Sequence, residues 1–182
     1  TNNCVIINTE KLTKIHDIDF RDFPHLGDGV KIPVLKVEAG VVTSDAMTQA
    51  TANNLVFATD PTSAWASTIG GNIAENAGGK TAVLWGTAID NILSYTIAMP
   101  GHDLLTVQRI NHPMRKILPE DTLQFQVLDS HKKILREVTL TGTEIRKKGL
   151  WKDITNKALN GLPGFQKEGT DGVITYGEFV LY

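Results

Sequence analysis

The stretch GGNIAENAGGKTAVLWG, residues 70–86, is the densest glycine cluster in the chain. Residues 74–81 within it come close to the phosphate-binding sequence G-x-x-x-x-G-K-[ST] of nucleotide triphosphatases. The match is incomplete, because Ala74 replaces the first glycine, residues 68–73 are no apolar strand, and Trp85-Gly86 interrupts any helix from Lys80. The sequence therefore argues against an ATP site, which we keep as a minor alternative.

Around this cluster, strands and helices alternate along the chain. Period-two runs or apolar runs predict strands, and helical spacing predicts helices. The predicted strands are 4–8, 31–40, 90–101, two within 121–145 around a turn at 130–133, and 171–182; the predicted helices are a short turn in 11–20, 41–54 and 153–164. This order predicts an α+β fold with a mixed, mainly antiparallel sheet flanked by helices.

Composition limits the possible functions. The 182 residues suffice for one domain, and the net charge of -2 gives no basic surface for nucleic acid. The apolar runs are too short for an integral membrane segment. Cys4 is the only cysteine, which is typical of a reducing, cytoplasmic protein. The five histidines lack metal-ligand spacing, so we predict no metal site.

Several spaced motifs occur in one order along the chain: Val37-Glu38-Ala39-Gly40, Asp60-Pro61-Thr62-Ser63, Thr68-Ile69-Gly70-Gly71-Asn72, Asn76-Ala77-Gly78-Gly79, Trp85-Gly86, Met99-Pro100-Gly101 and Gly169-Thr170-Asp171-Gly172-Val173-Ile174-Thr175. This series resembles the second FAD-binding subdomain of the FAD-linked oxidases. These flavoproteins have the vanillyl-alcohol oxidase fold (FAD-binding type 2) and include D-lactate dehydrogenases and the glycolate oxidase flavin subunit. The resemblance is thin between residues 101 and 167.

The resemblance implies FAD as cofactor and a set of cofactor-binding residues. The segment 61–63 and the segment 67–72 would lie along the flavin and the pyrophosphate, residues 76–79 would line the same groove, and Gly172 and Ile174 would contact the adenosine. Glycine permits such close approach of main-chain N–H groups. The implied residues are Pro61, Thr62, Ser63, Ser67, Thr68, Gly70, Gly71, Asn72, Asn76, Ala77, Gly78, Gly79, Gly172 and Ile174.

The resemblance also implies what residues 1–182 lack. We expect a partial FAD-binding domain without the arginine- and glycine-rich pyrophosphate loop subdomain and without the cap that supplies substrate-binding and catalytic groups. The parent enzyme would oxidise a small 2-hydroxy acid, such as D-lactate or glycolate, in the cytoplasm or at the periphery of the inner membrane. The isolated chain would be inactive. Two alternatives stay open: a non-catalytic binding domain with this fold, and a glycine bend that only packs a helix on the sheet.

Overall fold

One antiparallel sheet organises the molecule. The computed structural model describes residues 6–147 and 155–182, and in this part of the chain the sheet has seven strands in the order β1-β2-β7-β3-β4-β5-β6. All the strand pairs are antiparallel. The strands are β1 (Asp19–Asp22), β2 (Lys31–Glu38), β3 (Ile92–Ala98), β4 (Leu105–Arg109), β5 (Thr122–Leu128), β6 (Ile134–Thr141) and β7 (Val173–Val180).

The helices are short and lie between strands of the sheet in chain order. They are α1 (Thr43–Ala52), α2 (Ile69–Glu75), α3 (Ala82–Trp85), α4 (Ala88–Asn91) and α5 (Gly142–Ile145), with 3₁₀ turns at Pro24–Leu26 and Leu159–Gly161. The predicted α+β class with a mainly antiparallel sheet is confirmed. Among the residues described, no helix combines the length and the apolar character needed to cross a membrane.

The main core lies between α2 and the sheet. Ile69 and Ile73 are spaced i, i+4 on α2 and are both fully buried. Ile73 packs against Gly177 of β7, where a Cβ would lie only 2.7 Å from the Ile73 side chain. A glycine in the middle of this strand therefore lets α2 approach the sheet closely.

The N-terminal segment differs from its prediction. Residues 11–20 do not form a helical turn, because their backbone pairs with β2: Glu38 N–H donates to Lys14 O (2.9 Å), and Gly40 N–H donates to Leu12 O (2.8 Å). Hydrogen bonding of this segment to the open edge of β2 therefore outweighs the helical tendency of its apolar spacing. Residues 4–5 of the predicted first strand lie outside the described part, and residues 6–8 are not a strand.

The other predicted elements are mostly confirmed. β2, α1, β3, the β5–β6 hairpin and β7 occur within the predicted ranges, whereas β1 and β4 were not predicted. The helix predicted at 153–164 is wrong for its described residues, where only the 3₁₀ turn Leu159–Gly161 forms; residues 153–154 lie outside the described part. The α2 helix, which was not predicted, runs through Gly70 and Gly71, where one alternative placed a bend.

Asp90 joins three segments in the interior. Its fully buried carboxylate accepts hydrogen bonds from Thr87 N–H (2.6 Å), Ile117 N–H (2.8 Å) and the Arg146 guanidinium (2.5 Å). Gly86 has a φ of +76° and approaches this carboxylate so closely that a Cβ there would lie 2.1 Å from Asp90 Cγ. Asp90 therefore connects α4, the loop before β5 and the end of α5.

We expect Asp90→Ala to lower the free energy of unfolding by about 3–5 kcal/mol, because it leaves the Arg146 charge without its buried partner. Urea denaturation followed by circular dichroism measures this loss. The exposed Asp17→Ala variant is the control and should stay within about 0.5 kcal/mol of wild type. Equal effects of the two substitutions would contradict a structural role for Asp90.

Candidate functional site

A groove of about 270 Å³ opens beside the first turn of α2. We call it the glycine groove. Its walls come from the N-terminal segment, the end of β2, α2, and the loop and strand that form the start of β7. They comprise Thr9, Ala39, Thr68, Gly70, Gly71, Ala74, Glu75, Glu168, Gly169, Gly172, Val173 and Ile174. The structure thus brings together five of the predicted cofactor-binding residues, Thr68, Gly70, Gly71, Gly172 and Ile174, from distant parts of the chain.

Two of these glycines are required by contacts within the protein. A Cβ on Gly70 would lie 2.9 Å from the Cβ of Ala39, and a Cβ on Gly172 would lie 2.6 Å from the carbonyl oxygen of Ala98. Both distances are below van der Waals contact. Gly70 and Gly172 therefore allow α2 and the start of β7 to close around the groove.

Gly71 differs from its neighbour. A Cβ there would meet only the Thr68 hydroxyl, at 3.5 Å, and the residue is exposed on the groove wall. Glycine inside a helix costs about 1 kcal/mol relative to alanine. Because no contact in the described structure explains this cost, the open space at Gly71 fits a ligand that lies directly against the backbone. The residues present therefore fit a cofactor in this groove.

Most N–H groups at the start of α2 already have partners. Ile69 N–H donates to Val41 O (3.0 Å), and Gly70 N–H donates to Ala39 O (2.8 Å). Gly71 N–H makes a longer bond of 3.4 Å to the Thr68 hydroxyl. Only this last bond, to a rotatable side-chain hydroxyl, can be exchanged easily for a ligand. The backbone thus offers a ligand fewer donors than the glycine content suggested.

A second and larger groove lies next to α1, and we call it the α1 groove. It measures about 730 Å³ and includes the predicted residues Pro61 and Thr62. The exposed side chains of Trp65 and Lys80 also border it. The predicted residues Ser63 and Ser67 line neither groove, and the Ser67 hydroxyl is within 2.9 Å of the Thr43 hydroxyl. The segment 60–71 therefore borders both grooves.

The predicted asparagines bond inside the protein. Asn72 Nδ2 donates to the Thr43 hydroxyl (2.8 Å), and Asn76 Nδ2 donates to the Thr155 hydroxyl (2.8 Å). Asn76 Oδ1 also accepts from Ile89 N–H (2.9 Å), and the left-handed backbone of Asn76 ends α2. Neither residue lines the two grooves, so the described contacts of both side chains are structural.

The residues after Asn76 pack in the same way. Ala77 N–H donates to Asn72 O (2.8 Å), a Cβ on Gly78 would lie 3.0 Å from Thr87, and one on Gly79 would lie 1.9 Å from Asp60 O. None of the three lines either groove. Direct contact of residues 76–79 with FAD stays a prediction.

The partial triphosphate motif also has a structural explanation. The Thr81 hydroxyl lies within hydrogen-bond distance of Ala58 O (2.6 Å) and Asp60 Oδ1 (2.7 Å), and Thr81 N–H donates to the same carboxylate (3.1 Å). In a triphosphate loop this hydroxyl would bind magnesium. Its contacts here, together with the four-residue α3 that follows, argue against an ATP site.

Sequence reasoning missed the acidic residues of the glycine groove. Glu75 and Glu168 both line it. Glu168 N–H donates to Ala74 O (2.9 Å), which holds the loop before β7 beside the last turn of α2. Their positions in the sequence could have indicated these two residues: Glu168 comes directly before the Gly169–Thr175 motif, and Glu75 comes directly before Asn76.

The sequence of the chain is similar to those of known proteins. The family described as FAD binding domain matches residues 1–108, which is more than half of the chain. The chain is 32% identical over 101 residues to the D-lactate dehydrogenase of Anaerostipes hadrus, a match covering 56% of this chain and 19% of that protein.

Two glycolate oxidase GlcD subunits are also similar. That of Bacillus subtilis (strain 168) is 33% identical over 69 residues, covering 38% of this chain and 15% of that protein. That of Escherichia coli (strain K12) is 40% identical over 73 residues, covering 40% and 14%. The matches thus span less than a fifth of each relative. The resemblance inferred from the motifs is confirmed: the chain belongs to the FAD binding domain family, and FAD is the cofactor of this domain.

Proposed function

We propose that this chain forms part of the FAD site of a flavin-dependent oxidoreductase that oxidises a small 2-hydroxy acid to the 2-oxo acid. The relatives named D-lactate dehydrogenase and glycolate oxidase support this substrate class. The structural observation that carries the proposal is the open backbone of Gly71 in a groove where Gly70 and Gly172 are needed for packing.

The sizes of the two grooves support a shared cofactor site. Ligand clefts usually measure about 300–1,000 Å³, so the glycine groove at about 270 Å³ suits one portion of FAD rather than the whole molecule. The α1 groove has room for a second portion. We propose that FAD extends along the segment 60–71, which borders both grooves, and that another part of the protein covers its remaining surface.

The side chains of the described residues indicate which tasks belong to this chain and which belong to the flavin. When bound, the flavin supplies the hydride-accepting chemistry of the oxidation. The described residues supply shape and position, through the wall at Gly71, the hydroxyl of Thr68 and the loop at Pro61-Thr62. We assign no catalytic residue to this chain. We propose that a cap domain provides the substrate-binding and proton-accepting groups, and that residues 1–182 form a partial FAD-binding domain of a cytoplasmic enzyme.

Adjacent glycines of α2 should respond differently to alanine. Gly70→Ala should lower the free energy of unfolding by about 1–3 kcal/mol, because its Cβ overlaps Ala39. Gly71→Ala should raise it by up to about 1 kcal/mol, because alanine favours the helix and meets no clash. Denaturant unfolding of the two variants measures this difference. A destabilised Gly71→Ala protein would show that Gly71 serves packing rather than a ligand.

FAD binding should depend on the open space at Gly71. We expect Gly71→Leu to weaken FAD binding in the full-length protein at least about 10-fold, equivalent to ~1.4 kcal/mol, because the side chain occupies the groove. Flavin fluorescence during titration measures the affinity, and circular dichroism checks that the variant is folded. Val83→Leu is the control, since Val83 is 86% exposed and lines neither groove.

Two results would contradict this proposal. Unchanged FAD affinity in folded Gly71→Leu would exclude the glycine groove as the site. A full-length wild-type protein that is colourless and does not take up added FAD would support the alternative of a non-catalytic binding domain.

A further inference from the structure

A cavity of about 220 Å³ opens on the face of the sheet that is turned away from α2. Gly177 of β7 faces Ile73 of α2, so the next residue along the strand, Glu178, points to the opposite face. Glu178 and its cross-strand neighbour Ser94 both line the cavity, and Arg109 lines it at the end of β4. We call it the Arg109 cavity.

The charge of Glu178 is already matched within the wall of the cavity. Its carboxylate accepts two hydrogen bonds from the Arg21 guanidinium (2.8 and 2.9 Å) and one from the Ser94 hydroxyl (2.6 Å). Asp22, the other acidic residue on the wall, is exposed, so water screens its charge. The charge of Arg109 is therefore the one that its surroundings leave to be explained.

Arg109 is buried without bonding to a carboxylate. The residue is 4% exposed, and its Nε donates to Asn111 O (3.0 Å) while its Nη1 donates to Ile89 O (3.1 Å) and Asp90 O (3.3 Å). All three acceptors are uncharged carbonyl oxygens. The third nitrogen, Nη2, is buried and has no hydrogen-bond partner among the described residues. Burial lowers the pKa of Arg109 to about 10, which leaves the guanidinium charged at neutral pH.

The carboxylate of Asp90 attracts Arg109 through space but makes its hydrogen bonds elsewhere. Its oxygens accept from Thr87 N–H, Ile117 N–H and the Arg146 guanidinium. A buried charge is costly unless an opposite charge and good hydrogen bonds compensate it. Arg109 Nη2 therefore lacks an acceptor that a bound anion could supply.

His112 adds a second donor to the same cavity. Its Nδ1 accepts from Met114 N–H (3.0 Å), which places the ring proton on Nε2. This buried N–H lies near the carbonyl oxygen of Asp90, but the contact is outside hydrogen-bond geometry. Burial holds the pKa of His112 well below its usual value, so the ring is neutral and contributes a donor without a charge.

The size and the charges of the cavity limit the ligand to a small monoanion. Its volume is below the range of about 300–1,000 Å³ that drug-sized ligands need. Only one nitrogen of the Arg109 guanidinium is free, and the carboxylate of Glu178 lies on the wall. A doubly charged phosphate would be repelled by Glu178, whereas a carboxylate brings a single charge to match that of Arg109.

We propose that the Arg109 cavity is a binding site for a small monocarboxylate, whose oxygens accept hydrogen bonds from Arg109 Nη2 and His112 Nε2. The site lies on the opposite face of the sheet from α2 and its glycine groove. The proposal goes beyond the proposed function and does not depend on FAD.

The test uses acetate, with acetamide as its uncharged counterpart, and saturation-transfer NMR on the full-length protein. Acetate should bind the wild type with a dissociation constant of about 1 mM, as suits a ligand with so few atoms. Acetamide should bind at least about 10-fold more weakly, because it lacks the charge that pairs with Arg109.

Two variants connect this binding to the cavity. Arg109→Met removes the guanidinium, and Gln108→Trp fills the cavity from an exposed position on its wall. Each should weaken acetate binding at least about 10-fold, with folding checked by circular dichroism. If Arg109→Met does not fold, Gln108→Trp decides, because residue 108 is exposed.

Gln124→Trp is the matched control. Gln108 pairs with Gln126, so Gln124, two residues away on β5, lies on the same face of the sheet, and it is exposed and outside the cavity. This variant should bind acetate as the wild type does. Uptake of FAD by Gln108→Trp should also match that of the wild type, because the glycine groove lies on the other side of the sheet.

Three results would overturn the inference: no acetate binding by the wild type, equal binding of acetate and acetamide, or acetate binding that a folded Gln108→Trp protein retains in full. A wild-type protein that binds acetate as described but takes up no FAD would contradict the proposed function alone.

Discussion

The close approach of α2 to the end of β2 is the constraint on which the candidate site depends. The bond from Gly70 N–H to Ala39 O and that from Ile69 N–H to Val41 O hold the first turn of α2 against the residues after β2. Any side chain at Gly70 would push the helix away. Because β7 pairs with β2 and begins beside α2, this approach also decides the width of the glycine groove.

Buried polar groups also hold α2 in place. The side-chain amide of Asn72 donates to Thr43, the first residue of α1. The side-chain amide of Asn76 donates to Thr155, the first described residue after position 147. Buried amides are costly unless they are paired, so these contacts specify one position of the helix. The glycine–asparagine motif thus combines two functions: the asparagines anchor the helix, and the exposed Gly71 leaves its surface bare.

The charges and hydrogen bonds of the glycine groove differ from those of a phosphate-binding helix start. Glycine-rich helix starts commonly hold phosphates through free N–H groups. In this fold the residues after β2 accept hydrogen bonds from the N–H groups of Ile69 and Gly70, and Glu75 and Glu168 add negative charge.

Much of the sheet was predictable because its strands alternate in hydrophobicity. Alternation identified β2, a polar turn between two strand-like runs identified the β5–β6 hairpin, and the ordered motifs identified the family and its cofactor. β4 was missed because Arg109, which is 4% exposed, occupies an interior position that normally holds an apolar residue. The Arg109 guanidinium donates hydrogen bonds to the carbonyl oxygens of Ile89 and Asp90, which stabilises the buried side chain. The local sequence pattern does not predict a contact between residues so far apart in the chain.

The roles of individual glycines were decided only by the tertiary structure. Gly70 and Gly71 are identical neighbours in the sequence, but successive residues of a helix point about 100° apart. Both line the groove, but a Cβ on Gly70 would overlap Ala39, whereas a Cβ on Gly71 would meet only the Thr68 hydroxyl. The sequence by itself determined that side-chain-free backbone was needed near residue 70 and which family uses it. The packing of α2 between β2 and β7 determined where that backbone is open, because openness depends on neighbours that are distant along the chain.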